Sequence, residues 1–180
     1  MCTNARTWIP RRSYSFKKAE QGKKQENITL PRPLKHAKNE NILNFSFSGL
    51  KTALLYKIQK IKSEENISDS EHLPQQTIAD LCLEVETAIC ETLIHKLFLA
   101  QKKYSLKTVM LSGGVSANKP LRKQFLEHAK QKNCTAFIPV KFEYCTDNAA
   151  MIGAAAQIIW NNSSDKTFPV ENVKIQMKHA

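Results

Sequence analysis

Glycine is scarce in this chain, with 5 in 180 residues, so the tandem pair Gly113-Gly114 is not loop filler. Acidic residues are outnumbered as well: 16 Asp plus Glu stand against 27 Lys plus Arg, for a formal charge of +11. That balance favours a polyanionic partner such as RNA, beside the plainer reading of a solvated basic surface. Paired cysteine spacing is missing. The five Cys, at 2, 82, 90, 134 and 145, form no C-x-x-C and match no His spacing. Neither a zinc knuckle nor a disulfide framework is encoded, and reduced, cytosolic thiols are the default. The five His, at 36, 72, 95, 128 and 179, include no H-x-x-x-H pair. No apolar run approaches the roughly 18 residues needed to span a bilayer; the stretch from Ala149 to Trp160 is too short and rich in small residues. A soluble, cytoplasmic protein without a membrane partner is expected. What is present is 42% hydrophobic residues, enough for the core of one ordinary domain or two small ones.

Along the chain, residues 1–30 lack sustained periodicity and read as a poorly ordered or partner-dependent basic arm. The first 19 residues carry five basic side chains and no acid, a composition that also suits an organellar transit peptide. "PRPL" at 31–34 is an extended connector, because each Pro biases its predecessor away from the helical region. Phe45 and Phe47 alternate with polar residues as in a short strand. Leu50, Ala53, Leu54, Ile58 and Ile61 then fall at helical spacing, with Ser48 as N-cap. Residues 62–73 read as a loop. From Pro74 to about Lys103, the residues Ile78, Leu81, Cys82, Val85, Ile89, Leu93 and Leu97 trace one apolar stripe and predict the longest helix. "KTVML" (107–111) predicts a strand, Ala117 to about Gln131 a helix, "CTAFIPV" (134–140) a second strand, and Asn148 to about Trp160 a final helix. Residues 161–180 form a polar tail. Strand, helix, strand, helix implies parallel strands with crossover helices, an α/β unit.

Two short stretches carry chemistry. In "MLSGGVSAN" a strand ends in Gly113-Gly114 and a helix follows, which places free backbone N–H groups and a positive helix end at the carboxyl edge of a sheet. Such a turn binds phosphates or nucleosides, or it is simply tight. Asn118 is either a ligand contact or a helix cap. In "CTDNAAMIGAAA" (145–156), Thr146 or Asp147 caps the next helix, or Asp147 is a carboxylate facing the same crevice as Gly113-Gly114. The small residues Ala149, Ala150, Gly153, Ala154, Ala155 and Ala156 let another element pack very near that helix. An anion-binding turn beside a carboxylate suggests a nucleotide with a metal. One Asp alone does not hold a catalytic metal, which takes about three protein ligands.

"PRPL", "NFSFSGLKTAL", "LSGGVSANKPLR" and "CTDNAAMIGAAA", in this order and at these separations, resemble the carboxyl-terminal half of the tRNA threonylcarbamoyladenosine transferase family, the TsaD/Gcp type formerly called O-sialoglycoprotein endopeptidase. The match runs from about Lys17 to Trp160. The resemblance implies one lobe of the actin-like ATPase and sugar-kinase superfamily fold, assigned to residues 31–160. It also implies transfer of a threonylcarbamoyl group from its adenylate to the tRNA adenosine beside the anticodon. By the same resemblance, Asn118 is a nucleotide-contacting Asn, Gly113 and Gly114 form the nucleotide-side turn, and Asp147 is a ligand of one divalent metal, iron or zinc. No catalytic residue follows from it, and Ser48, Gly49 and Lys51 match a motif with no assigned chemistry.

The family's H-x-x-x-H metal pair and its first phosphate-binding loop belong to the amino-terminal half and have no counterpart here, so the metal site is incomplete. Where relatives carry a Pro-Gly-Gly-Pro turn this chain reads "IPRRSYSF" (9–16), and the familiar run resumes with "KKAEQGKKQENITLPRPL". That break points to a truncated or frameshifted gene or to a missing half encoded separately, and it speaks against a transit peptide. Expected partners are tRNA, threonylcarbamoyl adenylate or another adenine nucleotide, the amino-terminal half and the family's partner proteins. The competing expectation is an inactive remnant or interaction module with weak nucleotide or tRNA binding. A sugar or acetate kinase would share the strand-Gly-Gly-helix logic and leave "SFSGLKTA" unexplained.

Overall fold

The computed structural model describes residues 17–35, 42–146 and 148–163. Helix α1 spans Ser48–Glu64, α2 Gln75–Lys103, strand β1 Thr108–Met110, α3 Lys119–Gln131, β2 Thr135–Phe137 and α4 Ala149–Asn162. β1 and β2 pair in parallel, with Thr108 opposite Thr135, Val109 opposite Ala136 and Met110 opposite Phe137. The crossover between them is α3, so the α/β expectation holds.

Local chemistry sets the element ends. Pro74 precedes α2 at its N-cap position, where an extended backbone suits proline. Beyond the ends of α1, α2 and α3 lie Asn66, Ser105 and Asn133, each with φ near +50°. The left-handed step turns the chain off the helix axis and closes the last turn. α3 starts with Pro120 in its first turn, where no intrahelical N–H is required.

The long helix α2 is the spine. Its second half packs Cys90, Ile94 and Phe98 against Val109 of β1 and against Leu121, Phe125 and Ala129 of α3. Its first half packs Ile78 and Leu81 against Ile61 of α1, Leu73 and Ile28. Ala88 sits between Leu50 and Leu30. The apolar stripe foreseen on α2 is therefore only part of its buried surface, because partners lie on several sides. Cys82, Leu93 and Leu97 stay half-buried at the edges.

Several expectations need correction. Phe45 and Phe47 lie in irregular backbone, not a strand; their rings stack at 6.1 Å and Phe47 packs beside Leu30 and Leu50. Phe47 holds the N-cap position of α1 without a side-chain cap, so Ser48 is the first helical residue, not the cap. The loop placed at 62–73 begins only after Glu64. Both strands are shorter than read, and the helix placed from Ala117 is split into a 3-10 turn, Gly114–Ala117, and α3.

Residues 17–30, included in the basic arm, lie against α2 with Ala19, Ile28 and Leu30 buried. Polar side chains of α2 hold this segment. Asp80 accepts from the Lys23 backbone N–H at 2.7 Å and from Gln25 at 3.1 Å. Glu84 accepts from the Leu30 N–H at 2.8 Å and pairs with Arg32, which also pairs with Glu91 at 2.7 Å. Lys96, itself buried, donates to the carbonyls of Leu34 and Ile42. Gly22 is essential to the fit: a Cβ there would stand 2.4 Å from the Ala79 carbonyl oxygen. Residues 1–16 and 164–180, most of the arm and tail, lie outside the described residues.

Candidate functional site

The parallel pairing brings both chemical motifs to one edge, since the chain leaves β1 toward Gly113 and leaves β2 toward Cys145. Gly113 has φ +78°, a conformation that L side chains avoid. Its conformation alone accounts for the first glycine. Its carbonyl accepts from the Ser116 N–H at 2.9 Å and the Ser116 hydroxyl at 2.7 Å, which winds the next residues into the 3-10 turn. A Cβ at Gly113 would meet no atom of the described residues within 4 Å, so among them nothing makes a close approach to this corner.

Asn118 is buried and does several things at once. Its Oδ1 accepts the Leu121 N–H at 2.8 Å, which caps α3. The same oxygen accepts from the Cys90 thiol at 3.6 Å. Its Nδ2 donates to Glu86 Oε1 at 2.6 Å. Burial pushes the Glu86 carboxyl above its ordinary range, with the Asn118 hydrogen bond acting in the opposite sense. Burial, with Glu86 and Glu91 nearby, also pushes the Cys90 thiol up to about 12. Cys90 is thus held as a neutral thiol, unsuited to nucleophilic or metal-ligating work at neutral pH.

Arg122, one turn into α3, stitches the two motif loops together. Its guanidinium donates to the Ser116 carbonyl, to the Pro139 carbonyl at 2.8 Å and to the buried Cys145 sulfur at 3.3 Å. The turn after β1 and the turn after β2 are therefore fixed relative to each other. Asn148 caps α4 by accepting the Met151 N–H at 3.1 Å, and its Nδ2 donates to the carbonyls of Glu143 and Thr146. The cap expected at Thr146 or Asp147 is supplied by Asn148. Asp147 lies outside the described residues.

A family model described as tRNA N6-adenosine threonylcarbamoyltransferase, TsaD, matches residues 7–154. The chain belongs to this family. The curated relatives carry the same description. The protein of Thermosipho africanus is 38% identical over 154 residues, 84% of this chain and 42% of the relative. That of Endomicrobium trichonymphae is 45% identical over 115 residues, 63% of this chain and 30% of the relative. That of Christiangramia forsetii is 46% identical over 114 residues, 63% and 32%. The chain spans about two fifths or less of these relatives, and it resembles the carboxyl-terminal part of the transferase.

Against this family background, the structure brings Gly113, Gly114 and Asn118 together. Glu86 and Arg122 join them without having been singled out in the sequence. The signal for Arg122 was present, as an Arg four residues after the cap within "LSGGVSANKPLR"; Glu86 gave none, being one acid in a helix with several. Among the described residues no group of three His, Cys, Asp or Glu side chains is placed to hold a metal ion. The described residues therefore do not fit a metal centre by themselves. No helix among them is long and apolar enough to cross a membrane.

Proposed function

We propose that this chain provides the carboxyl-terminal lobe of a tRNA threonylcarbamoyltransferase and acts only when the amino-terminal part of the site is joined to it. One observation carries the reading: among the described residues nothing covers the face of the sheet away from α2 and α3. Met110 and Phe137, directly opposite each other on that face, are exposed, and α4 buries none of its residues while exposing Ile152, Ile158 and Ile159. Parallel sheets are ordinarily covered on both faces, so this apolar surface calls for a covering layer. In the actin-like arrangement that the family resemblance implies, the other lobe stands across the nucleotide from this one.

On this reading Gly113 and Gly114 line the nucleotide, and Asn118 positions the turn from beneath while offering its remaining amide N–H. Asp147 gives one ligand to a divalent metal, iron or zinc, whose other ligands come from the amino-terminal part. Threonylcarbamoyl adenylate and tRNA are the substrates, and the cytoplasm is the compartment. The alternative, an inactive interaction module, draws support from Asn118, whose oxygen is already engaged by Leu121 and Cys90.

The test is reconstitution. The 180-residue chain is mixed with the amino-terminal part of the Thermosipho africanus relative, and complex formation and threonylcarbamoyl transfer to tRNA are assayed. A complex with transfer activity, and none from the chain alone, is expected. Transfer by the chain alone or failure to form a complex overturns the proposal, and a complex without transfer favours the interaction module.

A further inference from the structure

At the far end of α3 from the Gly-Gly turn, α2 and α3 enclose an open groove of about 420 Å³. Lys35, His95, Lys102, His128 and Lys132 line it, with Glu91 as the acid. Glu91 is already paired with Arg32 at 2.7 Å. The ammonium groups of Lys35, Lys102 and Lys132 take part in no ion pair among the described residues. His128 Nδ1 lies 2.9 Å from the Gln124 carbonyl; a carbonyl only accepts, so Nδ1 carries the proton and the ring is fixed, packed at 5.6 Å against Phe98.

Cations near a helix carboxyl end are common, because they complement the macrodipole. That accounts for Lys102 and Lys132 singly. It does not account for two helices and the Lys35 turn directing their cations into one groove. His95 and Lys102 are about 10 Å apart along α2, and His128 and Lys132 about 6 Å along α3, at 1.5 Å rise per residue. A basic row of that length suits an extended polyanion rather than a single phosphate group.

We propose that this groove grips the phosphodiester backbone of the RNA substrate away from the reacting nucleotide. Ten residues of α3 separate Asn118 from His128, about 15 Å at the helical rise. A small nucleotide bound at Gly113 does not bridge that distance, whereas a polynucleotide does. The inference rests on tRNA being the substrate, but its test needs only the chain itself.

Binding of tRNA to the 180-residue chain is measured as a function of salt for the unaltered protein, for the triple variant Lys35→Gln, Lys102→Gln, Lys132→Gln, and for a control triple on α1, Lys51→Gln, Lys57→Gln, Lys60→Gln. All six lysines are at the surface or half-buried, and circular dichroism verifies that the variants fold. The groove variant is expected to lose about tenfold or more in affinity at low salt, and its slope of log affinity against log salt should fall by about 2, at ~0.7 per single-strand phosphate. The control should change little. Equal losses in both triples, or an unchanged slope in the groove variant, overturn the proposal. So does a groove-variant loss seen with polyglutamate but not with tRNA. If reconstituted transfer fails while the groove effect appears, the function reading falls and the groove stands; an active reconstituted enzyme insensitive to the groove triple in tRNA binding gives the reverse.

Discussion

Two regions of the folded chain, around α2 and around α4, differ in how completely they are satisfied. Beside the second half of α2, Phe125 and Leu121 are almost wholly removed from solvent, and along its first half the acids Asp80 and Glu84 are engaged by the backbone of residues 23–30. In α4, a helix built largely of Ala and Ile, no residue is buried. Composition is not the cause, since α4 is the more apolar of the two. The difference lies in what surrounds each helix: α2 touches partners on several sides, and α4 buries no residue against the other described elements. Apolar content states what a segment needs to bury, not where its partner is.

The largest expected effect breaks this comparison directly. Phe125→Ala, at 0% exposure, should cost about 3–5 kcal/mol of unfolding free energy. Ile158→Ala on α4, at 62% exposure, should stay within about 0.5 kcal/mol. Urea denaturation of the two variants checks this. Comparable losses would mean that α4 is packed in solution.

Next in size is Gly22→Ala. The added Cβ meets the Ala79 carbonyl oxygen at 2.4 Å and Leu83 Cβ at 2.8 Å, so segment 17–30 must lift from α2, at a cost of about 1–3 kcal/mol typical of overpacking. Protease cleavage within residues 17–30 should become faster. Unchanged stability and cleavage would show that this segment does not dock.

Parts of this were legible in the sequence. The span of α2 and the parallel strand order follow from periodicity and element alternation, both of which depend only on side-chain polarity and spacing. Docking of residues 17–30 was hidden, because no local pattern marks Asp80 and Glu84 as acceptors for that segment, although they take hydrogen bonds from the Lys23 N–H, from Gln25 and from the Leu30 N–H. The hub at Asn118 was half legible: the cap is a local pattern, but the hydrogen bond to Glu86 joins residues 32 apart in sequence. Arg122 ties two loops that only the β1–β2 pairing brings together, and no local rule foretells that.

Asn118→Ala removes the α3 cap and should cost about 0.5–2 kcal/mol, while Asn118→Asp keeps the capping oxygen. The aspartate, however, sets a second carboxylate against Glu86, so its deficit should grow as pH rises. Glu86 itself gives the unaltered protein a pH signature. Its folded-state affinity for a proton is raised by burial, so the folded state holds more protons than the unfolded one just above the ordinary glutamate range, and stability falls as pH rises through that window. Asp80 has the opposite sign: burial would raise it, but hydrogen bonds from the Lys23 N–H, Gln76 and Gln25 prevail and lower it. Its contribution is lost as pH falls below the ordinary aspartate range. Glu86→Gln should flatten the first slope and Asp80→Asn the second, measured by denaturation midpoints between acid and neutral pH. Exchanged effects would refute the assignment of burial to one and hydrogen bonding to the other.

The smallest effect sharpens the comparison most, because its sign should reverse with context. Gly153 lies inside α4, and a Cβ there meets nothing within 4 Å. In the chain alone Gly153→Ala should therefore stabilise α4 by about 0.8–1 kcal/mol, the difference in helix propensity. The small residues around it are explained only if another element comes close once the covering layer is present. With the amino-terminal part supplied, that same methyl group should intrude on the contact and weaken association, by an amount typical of overpacking, about 1–3 kcal/mol. Helicity of the chain alone and affinity for the amino-terminal part, measured on the same variant, separate the two terms. A variant that gains helicity and loses affinity places the covering layer over α4. Gain in both would show that α4 remains uncovered in the complex, and the covering layer would then have to sit over Met110 and Phe137 alone.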